Sequence, residues 1–148
     1  MIDHELEEMH WRMSILGAID VGIVVLDNAD RIVIWNEFME NHSGIRPSQV
    51  RDRNLFQCFQ EIDSDWLSRK LQRVRELGSR VFITWEQRAY VFRFHHHRPV
   101  TGRSEWMYQN LTLLPLKNPR GEISHVCLIV YDVSEQATLQ LALEQIED

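Results

Sequence analysis

Apolar residues recur along the first segment at Ile2, Leu6, Met9, Met13 and Leu16, spaced alternately by four and three, with Asp, Glu, His and Arg filling the positions between. That spacing predicts an amphipathic helix with a heptad-like seam, which either packs on its own domain or pairs with a second copy. The period then changes. Residues 21–26 and 31–35 are short β-branched runs separated by Asn28-Ala29-Asp30, the pattern of a β-hairpin. The stretch from Asn36 reads as a short helix stopped by Gly44, and Pro47 opens another through Val50. With Asp63 or Ser64 as N-cap, Leu67, Leu71 and Val74 share one face of the longest central helix, which Gly78 stops. Strand-like runs follow at 80–85, 90–97 and 106–116, the last two joined by a turn holding Pro99 and Gly102. Pro119-Arg120-Gly121 makes one more turn before a final strand over 123–131.

The last strand runs into Asp132-Val133-Ser134-Glu135, which reads as a capping box with Asp in the place of the usual Ser or Thr. Leu139, Leu143 and Ile146 then continue at four-then-three spacing, and no Gly or Pro stops the pattern before Asp148. The expectation is a signalling helix that continues into an output domain. A hairpin, several helices and then antiparallel strands define an α+β domain with one sheet and its helices on one face.

Composition narrows the function. A chain of 148 residues with 44% hydrophobic and 26% charged positions supports one globular domain. A net charge of -6 with scattered basic residues argues against nucleic-acid binding, which needs a clustered basic face. No segment approaches the ~20 apolar residues of a membrane span, and none resembles a signal peptide. Cys58 and Cys127 stand far apart without ligand or disulfide spacing, which fits a reducing cytoplasm. No phosphate loop, nucleophile elbow or zinc-protease motif occurs, so the chain reads as a regulatory domain and not an enzyme.

Over residues 16–135 the sequence resembles the PAS family. The hairpin Gly22-Ile-Val-Val-Leu-Asp27 with Arg31-Ile-Val-Ile-Trp-Asn36 is similar to the opening PAS hairpin, and Gly121-Glu-Ile with Val130-Tyr-Asp132-Val-Ser-Glu135 is similar to the closing strand. The resemblance implies a five-stranded antiparallel sheet with short helices on one face, amphipathic helices at both ends, and a division into 1–17, 18–133 and 134–148. It further implies a pocket between sheet and helices whose occupant alters the strands feeding the C-terminal helix. By register with the family's strands, Gln109, Leu111, Leu113, Leu128 and Val130 face that pocket, with Gln109 as its polar handle. Phe38, Phe59, Leu71, Phe92, Phe94 and His97 complete its expected lining, the aromatic residues either bounding a cavity or closing it. Asp132, Ser134, Glu135, Leu139, Leu143 and Ile146 are the expected signal relay.

Cofactor chemistry is constrained by departures from the family. The flavin-photosensor motif G-x-N-C-R-F-L-Q is matched by Asp52-Arg53-Asn54-Leu55-Phe56-Gln57-Cys58 only at Arg-Asn, with Leu55 at the adduct cysteine, so cysteinyl photochemistry is excluded. Noncovalent flavin would find few amides, and the long central helix offers haem no axial His. His95 and His97 would share one strand face, yet His4, His10, His42 and His125 stand at no spacing that completes a metal site, and no metal is assigned. Two readings remain: a ligand-sensing module, or a ligand-free dimerisation and relay module filled by its own side chains. In both the expected partners are a second copy and an output domain. The ending is similar to linkers before diguanylate cyclases of cyclic-di-GMP signalling, with a histidine kinase as the alternative.

Overall fold

The computed structural model describes residues 2–18, 20–95 and 106–147. Five strands form one antiparallel sheet: β1 (Gly22–Asp27), β2 (Ile32–Trp35), β3 (Val81–Ile83), β4 (Gln109–Lys117) and β5 (Ile123–Asp132), in the order β2-β1-β5-β4-β3. Helices α2 (Glu37–Ser43), α3 (Pro47–Val50), α4 (Leu55–Cys58) and α5 (Ser64–Leu77) lie between the hairpin and β3, while α1 (Ile2–Ala18) and α6 (Ser134–Glu147) flank the sheet. Among the described residues no helix is long and apolar enough to cross a membrane.

The hairpin and the helices after it are built from short polar anchors. Asp27 accepts from the amides of Ala29 and Arg31 and from Arg31 Nε at 2.8–2.9 Å, which fixes the turn in which Asp30 takes φ 60°. Burial pushes the Asp27 carboxyl up, but the Arg31 and Ala29 amides and the Arg31 guanidinium outweigh it and hold the group below its ordinary value. Asn36 caps α2 and also takes the Ile23 amide at 2.9 Å and donates to Val21 O at 2.8 Å, so one side chain joins helix to hairpin. Gly44 and Gly78 close α2 and α5 in the left-handed conformation, as their positions predict. At Gly22 a Cβ would stand 2.5 Å from Met39 Sδ, so here glycine permits a close approach of α2 to β1.

Alternate residues of the strands turn to the helices. Val24, Leu26, Leu111, Leu113, Val126, Leu128 and Val130 are buried there against Leu67, Leu71 and Val74 of α5. On the opposite face Cys127 lies between Val25 and Leu114, and burial pushes its thiol up to about 11.

Two expectations need correction. Residues 90–95 do not form a strand: His95 bridges Trp106, and the described part of this connector between β3 and β4 is otherwise irregular, while residues 96–97 of the expected strand lie outside the described residues. The Phe94 amide bonds back to Phe92 O at 3.0 Å, a three-residue turn that interrupts the extended alternation, and ladder positions are taken by a side chain described below. Second, Asp132 and Glu135 do not make a capping box. Asp132 Oδ1 accepts from Ser134 N at 3.0 Å, because α6 begins at Ser134 and Asp132 stands one position too early to cap it. The 4-residue helix α4 carries no periodic signal in the sequence; Asn54 nucleates it by accepting from Phe56 N and Gln57 N.

Candidate functional site: an aromatic core and the latch that closes it

Trp35 enters the inner face from the end of β2, Phe59 from the residue after α4, and Phe92 and Phe94 from the connector. Their rings meet directly. Trp35 stacks on Phe59 at 5.3 Å, Phe92 stands edge-on to Phe59 at 5.5 Å, and Phe94 stacks on Phe92 at 5.3 Å. His42 of α2 lies between Phe38 at 4.2 Å and Phe94 at 6.0 Å. These separations are those of aromatic pairs in direct contact, so the rings fill the space they enclose.

Gln109 holds the connector in this position. Its Oε1 accepts from the amides of Val91 and Phe92 at 3.0 and 3.1 Å, and its Nε2 donates to Phe92 O at 2.8 Å. The Gln109 backbone amide donates to Ala89 O at 2.9 Å, and the Met107 amide to Phe94 O at 2.7 Å. Nε2 also donates to Met107 Sδ at 3.8 Å, so a completely buried amide finds all its partners within the protein, as a buried polar group must. The family resemblance turns Gln109 inward, and the residue is buried there, but its amide serves as a latch on the connector and presents no open donor or acceptor as a polar handle.

The residue between Met107 and Gln109 pairs the other way. Tyr108 N donates to Ser134 Oγ at 2.9 Å, and Val133 N donates to Tyr108 O at 2.9 Å. The first turn of α6 is therefore bonded to the stretch of chain that latches the aromatic plug. Ser134 is buried, whereas Asp132 and Glu135 are exposed.

Of the expected pocket residues, Phe38, Phe59, Leu71, Phe92, Phe94, Leu111, Leu113, Leu128 and Val130 fall in one buried cluster with Gln109 beside them; His97 lies outside the described residues. Among the expected relay residues, Leu139, Leu143 and Ile146 are 60%, 61% and 80% exposed, so no described residue covers them. The N-terminal seam is similar, with Leu6 and Met9 at 58% and Met13 at 67%. Sequence reasoning missed Trp35 and Tyr108. Register with the inward Val24 marks Trp35, and period-two alternation from Gln109 marks Tyr108 as facing away from the latch.

Flavin or haem does not fit this arrangement, because ring contacts occupy the inner face and α5 carries no His. Among the described residues no group of three His, Cys, Asp or Glu is placed to hold a metal ion. Two clefts open elsewhere. One, of about 270 Å³, lies between the α4–α5 turn and the connector; the other, of about 530 Å³, lies between Met13 of α1 and the β2 edge.

A single antiparallel sheet with helices on one face, an inner core between them and a helix leaving the last strand defines a small regulatory module of signalling proteins. The chain belongs to the PAS family: the family model for the PAS fold matches residues 16–138. Among solved structures, a sensory box sensor histidine kinase from Vibrio cholerae is 27% identical, with 90% of this chain and 98% of that one covered, at a TM-score of 0.62. The PAS domain of an HTR-like protein from Haloarcula marismortui (18% identity, 88% and 97% covered, TM-score 0.62) shares the fold. So does a PAS domain from Colwellia psychrerythraea (15%, 86% and 98%, 0.60). No curated protein matches the chain significantly.

Proposed function

We propose that this domain is a cytoplasmic regulatory relay in which the connector between β3 and β4 sets the position of α6, and α6 passes that state to an output domain. The observation that carries the proposal is the alternation at 107–109: Met107 and Gln109 bond the connector, while Tyr108 bonds Val133 and Ser134. A displacement of the plug cannot leave this stretch unstrained, and the neighbouring residue carries the first turn of the exit helix. The interior is filled by its own side chains, which favours relay over an interior cofactor. Any input acts only through its different affinity for the latched and unlatched states.

The exposed seams of α1 and α6 support a homodimer in which each helix meets its counterpart from a second copy. Residues 1–17 and 134–148 then serve the assembly and 18–133 the regulation. For the output, the ending resembles linkers to diguanylate cyclases, while the 27% identical neighbour is a sensor histidine kinase and favours that alternative.

The test is made in the full-length protein. Ser134→Ala removes the acceptor of the Tyr108 amide, and Leu139→Gln with Leu143→Gln makes the α6 seam polar. Each variant is expected to change basal output several-fold while the thermal midpoint of the PAS domain stays close to wild type for the seam pair. Output unchanged in both variants refutes relay through α6.

A further inference from the structure

The cleft between the α4–α5 turn and the connector has lips of opposite charge. Glu61 and Asp63 stand on the turn that leads into α5, and Arg88 and Arg93 stand on the connector. Ile62 and Val91, both buried, form its apolar floor, and Trp66 and Tyr90 line it. The two lips are only partly neutralised by each other. Arg88 Nη2 lies 3.7 Å from Asp63 Oδ2, a long ion pair, while the Arg88 guanidinium rests 4.0 Å over the Trp66 ring. Glu61 and Arg93 form no ion pair among the described residues.

Charge arrangement selects the ligand. A simple anion gains from Arg88 and Arg93 but meets Glu61 and Asp63; a simple cation meets the converse. A small zwitterion aligned across the cleft gains from both lips, its carboxylate toward the connector and its ammonium toward the turn. The volume, about 270 Å³, lies just under the ~300–1,000 Å³ of drug-sized pockets, which suits one amino acid and excludes a nucleotide cofactor. The apolar floor with Trp66 and Tyr90 favours an apolar or aromatic side chain.

We infer that this cleft binds a free α-amino acid with an apolar side chain, and that it is the input site of the relay. The inference rests on the relay reading only for its second half. Ala89 and Val91 line the cleft and are also the residues whose carbonyl and amide bond Gln109, so an occupant that repositions Arg88 acts on the latch one to three residues away.

The experiment is calorimetric titration of the 148-residue chain with the L-amino acids, alongside 3-phenylpropionate and phenethylamine as single-charge controls. An apolar or aromatic amino acid is expected to bind with one-to-one stoichiometry, and each control at least about tenfold more weakly. Glu61→Gln and Arg93→Gln, both at exposed positions, are each expected to weaken binding about tenfold with no change in thermal midpoint. The inference is overturned by absence of heat for every amino acid up to ~10 mM, by a control binding as tightly as the amino acid, or by unchanged affinity in both variants. Because the titration reads binding on this chain alone, a failure of output coupling through α6 leaves its result standing.

Discussion

Replacing Gln109 by Met keeps the side chain's length and removes all of its hydrogen-bonding capacity. Two buried amides, of Val91 and Phe92, and the Phe92 carbonyl then lose their partner. If the connector stays in place, each unsatisfied group costs about 1–3 kcal/mol, and the total of about 3–9 kcal/mol is comparable to the whole stability of an ordinary domain. If the connector leaves, those groups reach water and the loss is instead the burial of Phe92 and Phe94, about 1.5–3 kcal/mol each, offset in part by the chain entropy that the tethered segment regains. Release is therefore the cheaper route, and the expected net loss is about 2–4 kcal/mol. The sheet and α5 should survive it. Urea denaturation measures the global loss, and amide hydrogen exchange locates it: protection should collapse over 89–94 and fall in the first turn of α6, while β1 and β5 keep theirs. A loss under about 1 kcal/mol with protected Val91 and Phe92 amides would show that the latch does not hold the plug.

Gly22→Ala places a methyl against Met39 Sδ and the Phe38 ring and is expected to cost about 1–3 kcal/mol in thermal or urea denaturation; a wild-type midpoint would mean that α2 is free to move away. Burial that lifts the Cys127 thiol to about 11 leaves very little thiolate near neutrality, so disulfide-exchange reagents at pH 8 should modify it at least about a hundredfold more slowly than an unhindered cysteine, and at the ordinary rate after denaturation. The test uses Cys58→Ala protein so that one thiol is read. Asp27 titrates below its unfolded value in the folded state, so its contribution is complete above the ordinary carboxylate range and is lost as pH falls through the folded value. Asp27→Asn should accordingly flatten the acid limb of the stability profile below about pH 4, and an unchanged acid limb would remove Asp27 from its causes.

The elements that were legible in the sequence are those whose signals are local. Asn36 and Gly44 delimit α2, Asp63 and Gly78 delimit α5, and β-branched alternation marks β1 and β5. The inward set Gln109, Leu111, Leu113, Leu128 and Val130 comes from the resemblance to the family's strands, extended by period two, and all five are buried. The connector was misread for a physical reason. Phe92 and Phe94 alternate with polar Arg93 as a half-buried strand would, yet their burial comes from a short turn and a side-chain latch, neither of which has a period. Gln109 reads as a ligand-binding amide because the family resemblance turns it inward, and a strand position shows only that a buried polar group needs partners. Which partners it finds depends on where residues 17–18 positions upstream return in space.

The fate of that one amide decides between two ways for a PAS fold to respond. Where an inward polar side chain faces an open cavity, the ligand completes its hydrogen bonds, and occupancy is felt from inside the core. Here Val91 and Phe92 complete them, so the domain is closed by its own backbone and gains little from an interior ligand that must first displace two phenylalanine side chains. The connector remains accessible from outside, at Arg88 and Arg93, where its staple to α5 is a long ion pair and a ring contact that solvent reaches. Exposed ion pairs are weak, typically within about 1 kcal/mol, so this outer staple is the part of the connector that a modest ligand can alter, while the inner latch is the part that converts the alteration into strain on Tyr108 and Ser134. A strong bond next to a weak one, both on the same few residues, gives the connector two arrangements with different consequences for α6.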